Sequence, residues 1–191
     1  MVDTLKHKGL RNQLVLDLAD KGIKDNNVLN AIKNVPRHLF MDSGFIDHAY
    51  QDKAFPISSG QTISQPFTVA FQSELLQVKP GDKILEIGTG SGYQAAVLCE
   101  MGAKVYTIER IKELYRKTAA FLPSINYRPK KMIYGDGHKG HEKGSPYDGI
   151  IVTAGASEIP NHLLTQLKIG GRLVLPIGDQ IQKMVLYTKK N

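Results

Sequence analysis

The 191-residue sequence is poor in cysteine and contains no tryptophan. Its one cysteine, Cys99, lies in the apolar run 95–99, so these residues cannot form a disulfide among themselves, and we expect a reducing compartment. We interpret Cys99 as a core residue rather than a nucleophile, because buried thiols usually behave as small hydrophobic side chains. No apolar run approaches the ~20 residues of a membrane span, and no apolar signal segment follows the charged start. We therefore expect a cytoplasmic protein with no membrane partner.

The charge is basic but dispersed. A formal net charge of +7, from 25 Lys and Arg against 18 Asp and Glu, permits attraction to nucleic acid. Basic residues cluster only at 128–131 and 189–190, and neither cluster alternates with the aromatic side chains on which single-stranded bases stack. We predict a solvated basic surface and no nucleic-acid partner. The 41% hydrophobic content suits a single domain over residues 1–191.

The chain divides near residue 66 into a helical lead-in and an alternating body. Leucines at 10, 14 and 18 and apolar residues at 28, 29 and 32 predict two helices, with Asp25 placed to cap the second and Pro36 ending it. Residues 37–66 are aperiodic and too long for an ordinary connection, which is typical of functional or disordered loops.

Strands and helices alternate in the body. We predict strands at 83–87, 104–108, 131–134, 148–152, 171–175 and 184–187, and helices at 68–76, 93–101, 111–121 and 160–167. This alternation predicts an α/β fold with a doubly wound, mostly parallel sheet and helices on both faces. Ligands of such sheets bind outside the carboxyl ends of the strands.

A glycine-rich turn follows the first predicted strand of the body. Segment 86–93 reads Glu-Ile-Gly-Thr-Gly-Ser-Gly-Tyr, in which Gly88, Gly90 and Gly92 allow close backbone approach to a ligand. A dinucleotide fingerprint would have a small residue at position 93, where this chain has Tyr93. With the acid Glu86 two residues before the first glycine, the pattern favours a cationic ligand without a pyrophosphate, such as S-adenosylmethionine.

Acidic residues follow the next two strands. Glu109, about 20 residues after the first glycine, is placed to accept hydrogen bonds from ribose hydroxyls, and we assign its neighbour Arg110 to the same site. Nicotinamide and adenosylmethionine sites share this feature. Asp136, followed by Gly137, is placed to meet an adenine amino group. Three such features after three successive strands indicate a nucleoside cofactor.

A metal site is the competing interpretation of the next loop, where His138, His141 and Glu142 lie close together. No cysteine or second ligand pair accompanies them in this Gly- and Lys-rich segment, so we predict a solvated loop and no metal.

Six segments together resemble the protein-L-isoaspartate O-methyltransferase family, in order from about Leu10 to the end of the chain. They are Val-Pro-Arg-His-Leu-Phe at 35–40, Gly-Gln-Thr-Ile-Ser-Gln-Pro at 60–66, the glycine-rich segment 85–94, Gly-Asp-Gly at 135–137, and segments 150–156 and 170–178. The resemblance implies the Rossmann-like fold of S-adenosylmethionine-dependent methyltransferases. Residues 1–66 would then be a helical lead-in with the active-site loop, and residues 67–191 the cofactor-binding α/β body.

The resemblance also implies the reaction. A methyl group passes from S-adenosylmethionine, which leaves as S-adenosylhomocysteine, to the free α-carboxylate of L-isoaspartyl residues in damaged proteins and peptides. The ester then collapses to a succinimide, whose hydrolysis restores some normal aspartate. We expect these damaged proteins and peptides as partners and a monomeric enzyme.

Family resemblance assigns roles to two further groups of residues. The serine of the Gln-Thr-Ile-Ser block, here Ser64, is the active-site residue, which would hold the substrate carboxylate by a hydrogen bond rather than act as a covalent nucleophile. The residues before it, Gln61, Thr62 and Ile63, would line the cofactor together with Ser64. The loop after the fourth strand of the body would face the substrate peptide through Thr153, Ala154, Gly155 and Ala156.

Two departures from the family pattern and two alternatives accompany this interpretation. Family members usually continue into a further strand, so we expect the final strand to be lacking and a sheet edge to be exposed. Residues 67–69 read Phe-Thr-Val where some relatives carry histidines. One alternative is a methyltransferase of the same fold with a nucleic-acid or small-molecule acceptor. The other is a protein that binds the cofactor without turnover.

Overall fold

A computed structural model describes residues 2–155, 158–178 and 181–190 of the chain. Its centre is a six-stranded sheet with the spatial order β5-β4-β3-β6-β7-β8. Strands β3 to β7 are parallel, and β8 pairs antiparallel with β7 at one edge of the described sheet. The strands are β3 (Lys83–Ile87), β4 (Lys104–Glu109), β5 (Lys131–Tyr134), β6 (Tyr147–Val152), β7 (Leu167–Ile177) and β8 (Lys183–Thr188). The mostly parallel α/β fold predicted from the sequence is confirmed.

All six predicted strands are present. The bounds of β3 and β5 agree with the prediction, whereas β7 extends beyond the predicted 171–175 at both ends. The extension has a structural reason: β7 pairs with two neighbours, β6 on one side and β8 over 172–177 on the other. Residues of β7 on either side of the predicted 171–175 therefore form backbone hydrogen bonds with these neighbouring strands, and the local sequence does not reveal such bonds.

Six α-helices connect and cover the strands: α1 (Leu5–Asp20), α2 (Asn26–Asn34), α3 (Pro66–Leu76), α4 (Tyr93–Glu100), α5 (Lys112–Ser124) and α6 (Asn161–Thr165). The cap predicted at Asp25 is present, since its side chain accepts from the backbone N–H of Asn27 at 2.8 Å. Helix α1 is capped by Thr4. Helix α6 is shorter than the predicted 160–167, because the chain enters β7 at Leu167.

Side chains alternate across the sheet and form two apolar clusters. In β3, Ile84 belongs to the larger cluster, which contains the buried residues of α1 to α5, while Leu85 belongs to a smaller cluster with Leu163 of α6. The same alternation places Ile151 and Ile150 of β6 in the larger and the smaller cluster respectively. Helices therefore cover both faces of the sheet, as a doubly wound fold requires, with most of them on one face.

Residues 37–66 have more local structure than their aperiodic sequence predicts. They contain three 3₁₀ turns, Arg37–Phe40, Ser43–His48 and Ser58–Gly60, and a short hairpin of β1 (Phe55–Pro56) and β2 (Thr62–Ile63). Turns of this length rest on a few backbone bonds and on side-chain contacts from elsewhere, so no periodic pattern is needed to form them.

Within the described ranges, no helix has the length and apolar character needed to cross a membrane.

Candidate active site

A cavity of about 850 Å³ opens at the carboxyl ends of the strands, where β3 and β6 lie side by side. From β3 the chain winds to one side through β4 and β5, and from β6 it winds to the other side, so this is the topological switch point of the sheet. The cavity receives residues that follow β3, β4, β5 and β6 and residues of the 61–65 segment. The structure thus brings together groups that are far apart in sequence.

One segment at the cavity, which we call the sheet wall, consists of residues 86–94 together with Glu109, and of these residues 87–91, 93, 94 and 109 line the cavity. Its glycines Gly88, Gly90 and Gly92 have φ values of 98°, 52° and 87°, which side-chain-bearing residues rarely adopt. A Cβ at Gly92 would lie 2.7 Å from Thr118 Cγ2. The turn is therefore specific for glycine in both conformation and space. Gly88 and Gly90 line the cavity, whereas Gly92 does not, and the binding of a cofactor by these glycines stays a prediction.

Glu109 binds the backbone of this turn. Its side chain is buried, Oε2 accepts from the N–H of Gly90 at 2.8 Å, and Oε1 accepts from the N–H of Ile111 at 2.8 Å. Each carboxylate oxygen keeps a further lone pair, so the group can still accept from a ligand. Arg110 lies beside it at the cavity and is exposed.

The acid after β5 lines the same cavity. Asp136 is exposed and accepts from the N–H of His138 at 3.0 Å. Gly137 is buried, and a Cβ there would overlap Ile87 Cγ2. A glycine at 137 thus allows the Asp136 loop to approach the end of β3. Both residues line the cavity.

Glu86 occupies a different position from the other predicted acids, because its side chain lies inside the protein and does not line the cavity. Burial raises its pKa to about 8, partly offset by a hydrogen bond at 2.6 Å from the Thr107 hydroxyl. That hydroxyl lies 2.5 Å from the hydroxyl of Thr89, which does line the cavity. Glu86 therefore reaches the cavity wall through two threonines, and its direct contact with a cofactor stays a prediction.

A second segment at the cavity, which we call the loop wall, consists of residues 52–66, and of these residue 54 and residues 61–65 line the cavity. The predicted residues Gln61, Thr62, Ile63 and Ser64 all line the cavity here. Ile63 is buried and Ser64 is partly buried. A Cβ at Gly90 would lie 3.8 Å from Ile57 Cδ1, so the loop wall approaches the glycine-rich turn closely.

The predicted substrate loop begins directly after β6. Thr153, Ala154 and Gly155 line the cavity, whereas Ala156 lies outside the described residues. The Thr153 hydroxyl contacts two backbone carbonyl oxygens, those of Ile87 at 3.0 Å and Gly88 at 2.6 Å. Thr153 therefore joins the end of β6 to the end of β3.

Two glutamines at the cavity were not singled out from the sequence. Gln94 is buried and donates to the Ser73 hydroxyl at 3.0 Å, while its Oε1 has no partner within the described part of the chain. Gln72 donates to the carbonyl oxygen of Val152 at 3.0 Å. The sequence did contain a signal for these two residues. Each is a polar side chain in a mostly apolar helix, and such a side chain needs a hydrogen-bond partner when it is buried.

Among the described residues, His138, His141 and Glu142 do not form a cluster of potential metal ligands. His138 lines the cavity, whereas the backbone N–H of His141 donates to Gln166 Oε1 at 2.8 Å. Over the described ranges, the potential ligands that do cluster are Asp3, His7 and His38. Of these, Asp3 already pairs with Arg11 at 2.9 Å.

Two solved structures are similar to this chain over most of its length. A Plasmodium falciparum structure described as a putative protein-L-isoaspartate O-methyltransferase in complex with S-adenosyl-L-homocysteine matches 95% of this chain and 90% of its own, with 28% identity and a TM-score of 0.80. A structure described as protein-L-isoaspartate O-methyltransferase matches with 30% identity and a TM-score of 0.86, over 95% of this chain and 60% of its own. The fold and its cavity define an S-adenosylmethionine-dependent methyltransferase.

The chain belongs to the protein-L-isoaspartate(D-aspartate) O-methyltransferase family, whose model matches residues 9–191. Proteins named protein-L-isoaspartate O-methyltransferase from Christiangramia forsetii and Flavobacterium johnsoniae are each 63% identical to it over 191 residues, which is all of this chain and 90% of each relative. The family resemblance drawn from the six sequence segments is confirmed.

The residues present at the cavity fit the family's cofactor. Gln94 Oε1 is a buried acceptor without a partner in the described residues. The ammonium group of a methionine moiety is a donor that needs such an acceptor. The carboxylates of Glu109 and Asp136 supply acceptors for hydroxyl and amino groups. The glycine-rich turn lets a ligand approach the backbone.

Proposed function

We propose that this chain transfers a methyl group from S-adenosylmethionine to the free α-carboxylate of L-isoaspartyl residues in damaged proteins and peptides, which initiates their repair through a succinimide. The observation that carries the proposal is that the sheet wall and Ser64 face one cavity. Membership of the family supports the choice of acceptor.

Cofactor binding is assigned to both walls. Glu109 would accept from the ribose hydroxyls and Asp136 from the adenine amino group, with Arg110 and Gly137 beside them. Turn residues Gly88, Gly90 and Gly92 and loop residues Gln61, Thr62 and Ile63 would enclose the rest, and Glu86 would act from beneath the turn. When bound, S-adenosylmethionine supplies a methyl group activated by a positive sulfonium.

The substrate carboxylate needs little acid–base help, because a carboxyl group with a pKa near ~4 is already ionised at neutral pH. Catalysis then depends on orientation and on excluding water. Ser64 would donate its hydroxyl proton to one carboxylate oxygen and leave the other free to attack. The 153–156 loop, including Ala156, would bind the substrate peptide through backbone groups, with the small side chains of Ala154 and Gly155 accommodating varied sequences.

The test is methyl transfer to two synthetic peptides that differ only in L-isoaspartyl or L-aspartyl at one position. We expect base-labile ester on the isoaspartyl peptide alone. Ser64→Ala should lower kcat by about 10-fold, the worth of one hydrogen bond to a charged group, while cofactor affinity changes little. Ser124→Ala, whose hydroxyl bonds Phe121 O on an exposed helix end, is the matched control.

Two outcomes would contradict the proposal. Equal esterification of both peptides would mean that the acceptor is not isoaspartate. Cofactor binding without any release of S-adenosylhomocysteine would favour a non-catalytic binder. A matched assay with RNA and DNA addresses the nucleic-acid alternative.

We further infer that the protein is a cytoplasmic monomer built as one domain over residues 1–191. Sedimentation would test the monomer, and cell fractionation would test the location.

A further inference from the structure

Asp52 lies outside the predicted site, yet it makes contacts on both sides of the residue that begins α3. Its Oδ1 accepts from the backbone N–H of Phe67 at 2.7 Å, and its carbonyl oxygen accepts from Gln65 Nε2 at 3.1 Å. These two bonds join the 49–53 turn to residues that directly follow Ser64. A single residue therefore fixes the chain immediately after the active-site serine.

The bond to Phe67 replaces a missing helix cap. Helix α3 begins at Pro66, and its N-cap residue Gln65 makes no side-chain cap hydrogen bond. A carboxylate at a helix N-terminus is favoured by the helix dipole and by the free N–H groups of the first turn. Asp52 thus supplies, from the 49–53 turn, the capping group that the residues next to the helix lack.

Asp52 is itself held by an ion pair. Lys21 Nζ pairs with Oδ2 at 2.6 Å, and the Asp52 side chain is only 11% exposed. Burial raises the pKa of Asp52, but the hydrogen bonds that its carboxylate accepts from Lys21 and from the backbone of Phe67 outweigh that effect and leave the pKa below its ordinary value. The carboxylate is therefore charged and able to make charge-assisted bonds at neutral pH.

Arg37 anchors the turn that carries Asp52. It is fully buried, its Nε donates to the carbonyl oxygen of Ala49 at 3.0 Å, and one of its Nη atoms donates to that of Lys53 at 3.3 Å. Its guanidinium lies 4.9 Å from the centre of the Tyr93 ring, at the start of α4. The 49–53 turn is thereby connected to the helix that follows the glycine-rich turn.

We propose that Asp52 is a positioning residue for methyl transfer, which holds Ser64 at the cavity through its bonds to Gln65 and to the backbone of Phe67. The inference rests on the proposed role of Ser64. Ser64 lines the cavity between β2 and the Gln65 N-cap, so its position follows from the bonds on either side of it. Loss of the Asp52 bonds leaves the serine present but misplaced.

The experiment is a double-mutant cycle on turnover of the isoaspartyl peptide. Asp52→Ala should lower kcat by about 10-fold in the native background and by less than about 2-fold in the Ser64→Ala background, because it acts through Ser64. Cofactor affinity, measured by calorimetry, should stay within about 2-fold. Asp52→Asn, which keeps an acceptor oxygen for Phe67, should recover part of kcat.

Two further variants separate positioning from folding. Gln65→Met removes one of the two bonds without removing a charge, and it should lower kcat even if Asp52→Ala does not fold. Lys168→Met is the matched control, because it removes a comparably exposed lysine partner from Asp148, which lies at the amino-terminal end of β6, and kcat should stay within about 2-fold of the native value.

The outcomes distinguish the two proposals. If Asp52→Ala reduces kcat equally in both backgrounds, or if Gln65→Met has no effect, the positioning role is wrong while that of Ser64 stands. If Ser64→Ala retains native kcat, the proposed function of Ser64 fails, and the positioning role that depends on it fails as well.

Discussion

The two walls of the cavity are stabilised by different means. The sheet wall consists of the ends of parallel strands with a glycine-rich turn whose backbone is bonded to the buried Glu109. The loop wall contains a hairpin of two-residue strands and is fixed by side-chain bonds from Asp52 and Gln65. Changes in the sheet wall should therefore affect global stability, whereas changes in the loop wall should affect turnover more than folding.

This difference is functionally reasonable. The same cofactor binds in every turnover, so a rigid, pre-organised surface can bind it, since fixed hydrogen-bonding groups need no reorganisation on binding. A wall that admits varied protein segments gains from weaker local contacts. Three variants test this difference between the two walls.

Glu86→Gln should change how stability depends on pH. Burial raises the pKa of Glu86 to about 8, so between about pH 5 and 8 the native state holds a proton that the unfolded state has released. The free energy of unfolding should therefore fall as pH rises through this window, by on the order of 4 kcal/mol. The variant should lose this slope, as measured by urea unfolding at pH 5, 6.5 and 8. Exposed Glu142→Gln is the control, and an unchanged slope in Glu86→Gln would show that Glu86 does not cause it.

Gly92→Ala should destabilise the sheet wall by about 3 kcal/mol. The substitution combines a positive φ of 87° with a Cβ 2.7 Å from Thr118 Cγ2. Gly81→Ala is the matched control, because Gly81 has a φ of 91° but no atom within 4 Å of the place where a Cβ would lie, and it should cost only about 1 kcal/mol. Urea unfolding of both variants separates backbone strain from steric overlap. Equal losses would mean that packing around Gly92 contributes nothing.

Ser59→Ala should have the smallest effect, at about 0.5 kcal/mol or less. Ser59 lies at the tip of the loop wall with a φ of 59°, and its hydroxyl donates to Glu113 Oε2 at 2.9 Å in an exposed position. Thermal unfolding measures the change, with Glu113→Gln as the control that keeps an acceptor. A loss above about 2 kcal/mol would show that the loop wall is as integral to folding as the sheet wall.

Much of the sheet wall could be predicted because its information is local. The alternation of apolar segments identified all six strands, and the residues after β3, β4 and β5 were assigned to one site from their positions alone. Glu86 shows the limit of such reasoning. Its place beside the first glycine suggested a cavity residue, but whether a strand residue faces a ligand or the interior depends on how neighbouring strands pack.

The loop wall was identified only through family resemblance, and its supports were missed. No periodicity marks Asp52 as the cap of a helix that begins at Pro66, because the two are joined only when the chain folds back on itself. The same holds for Arg37, which bonds the carbonyl oxygens of Ala49 and Lys53. Such contacts leave no spacing pattern for sequence reasoning to detect.

Hydrophobic periodicity and glycine conformation act over a few residues, so the amino-acid sequence alone predicts the α/β class, the strands, the glycine-rich turn and the acids that follow successive strands. The folded chain was needed to show which of these groups share a cavity, that Glu86 is buried, and that Asp52 bonds the two residues on either side of Pro66. Those features depend on contacts between residues distant in sequence, which arise from packing the whole chain around its sheet.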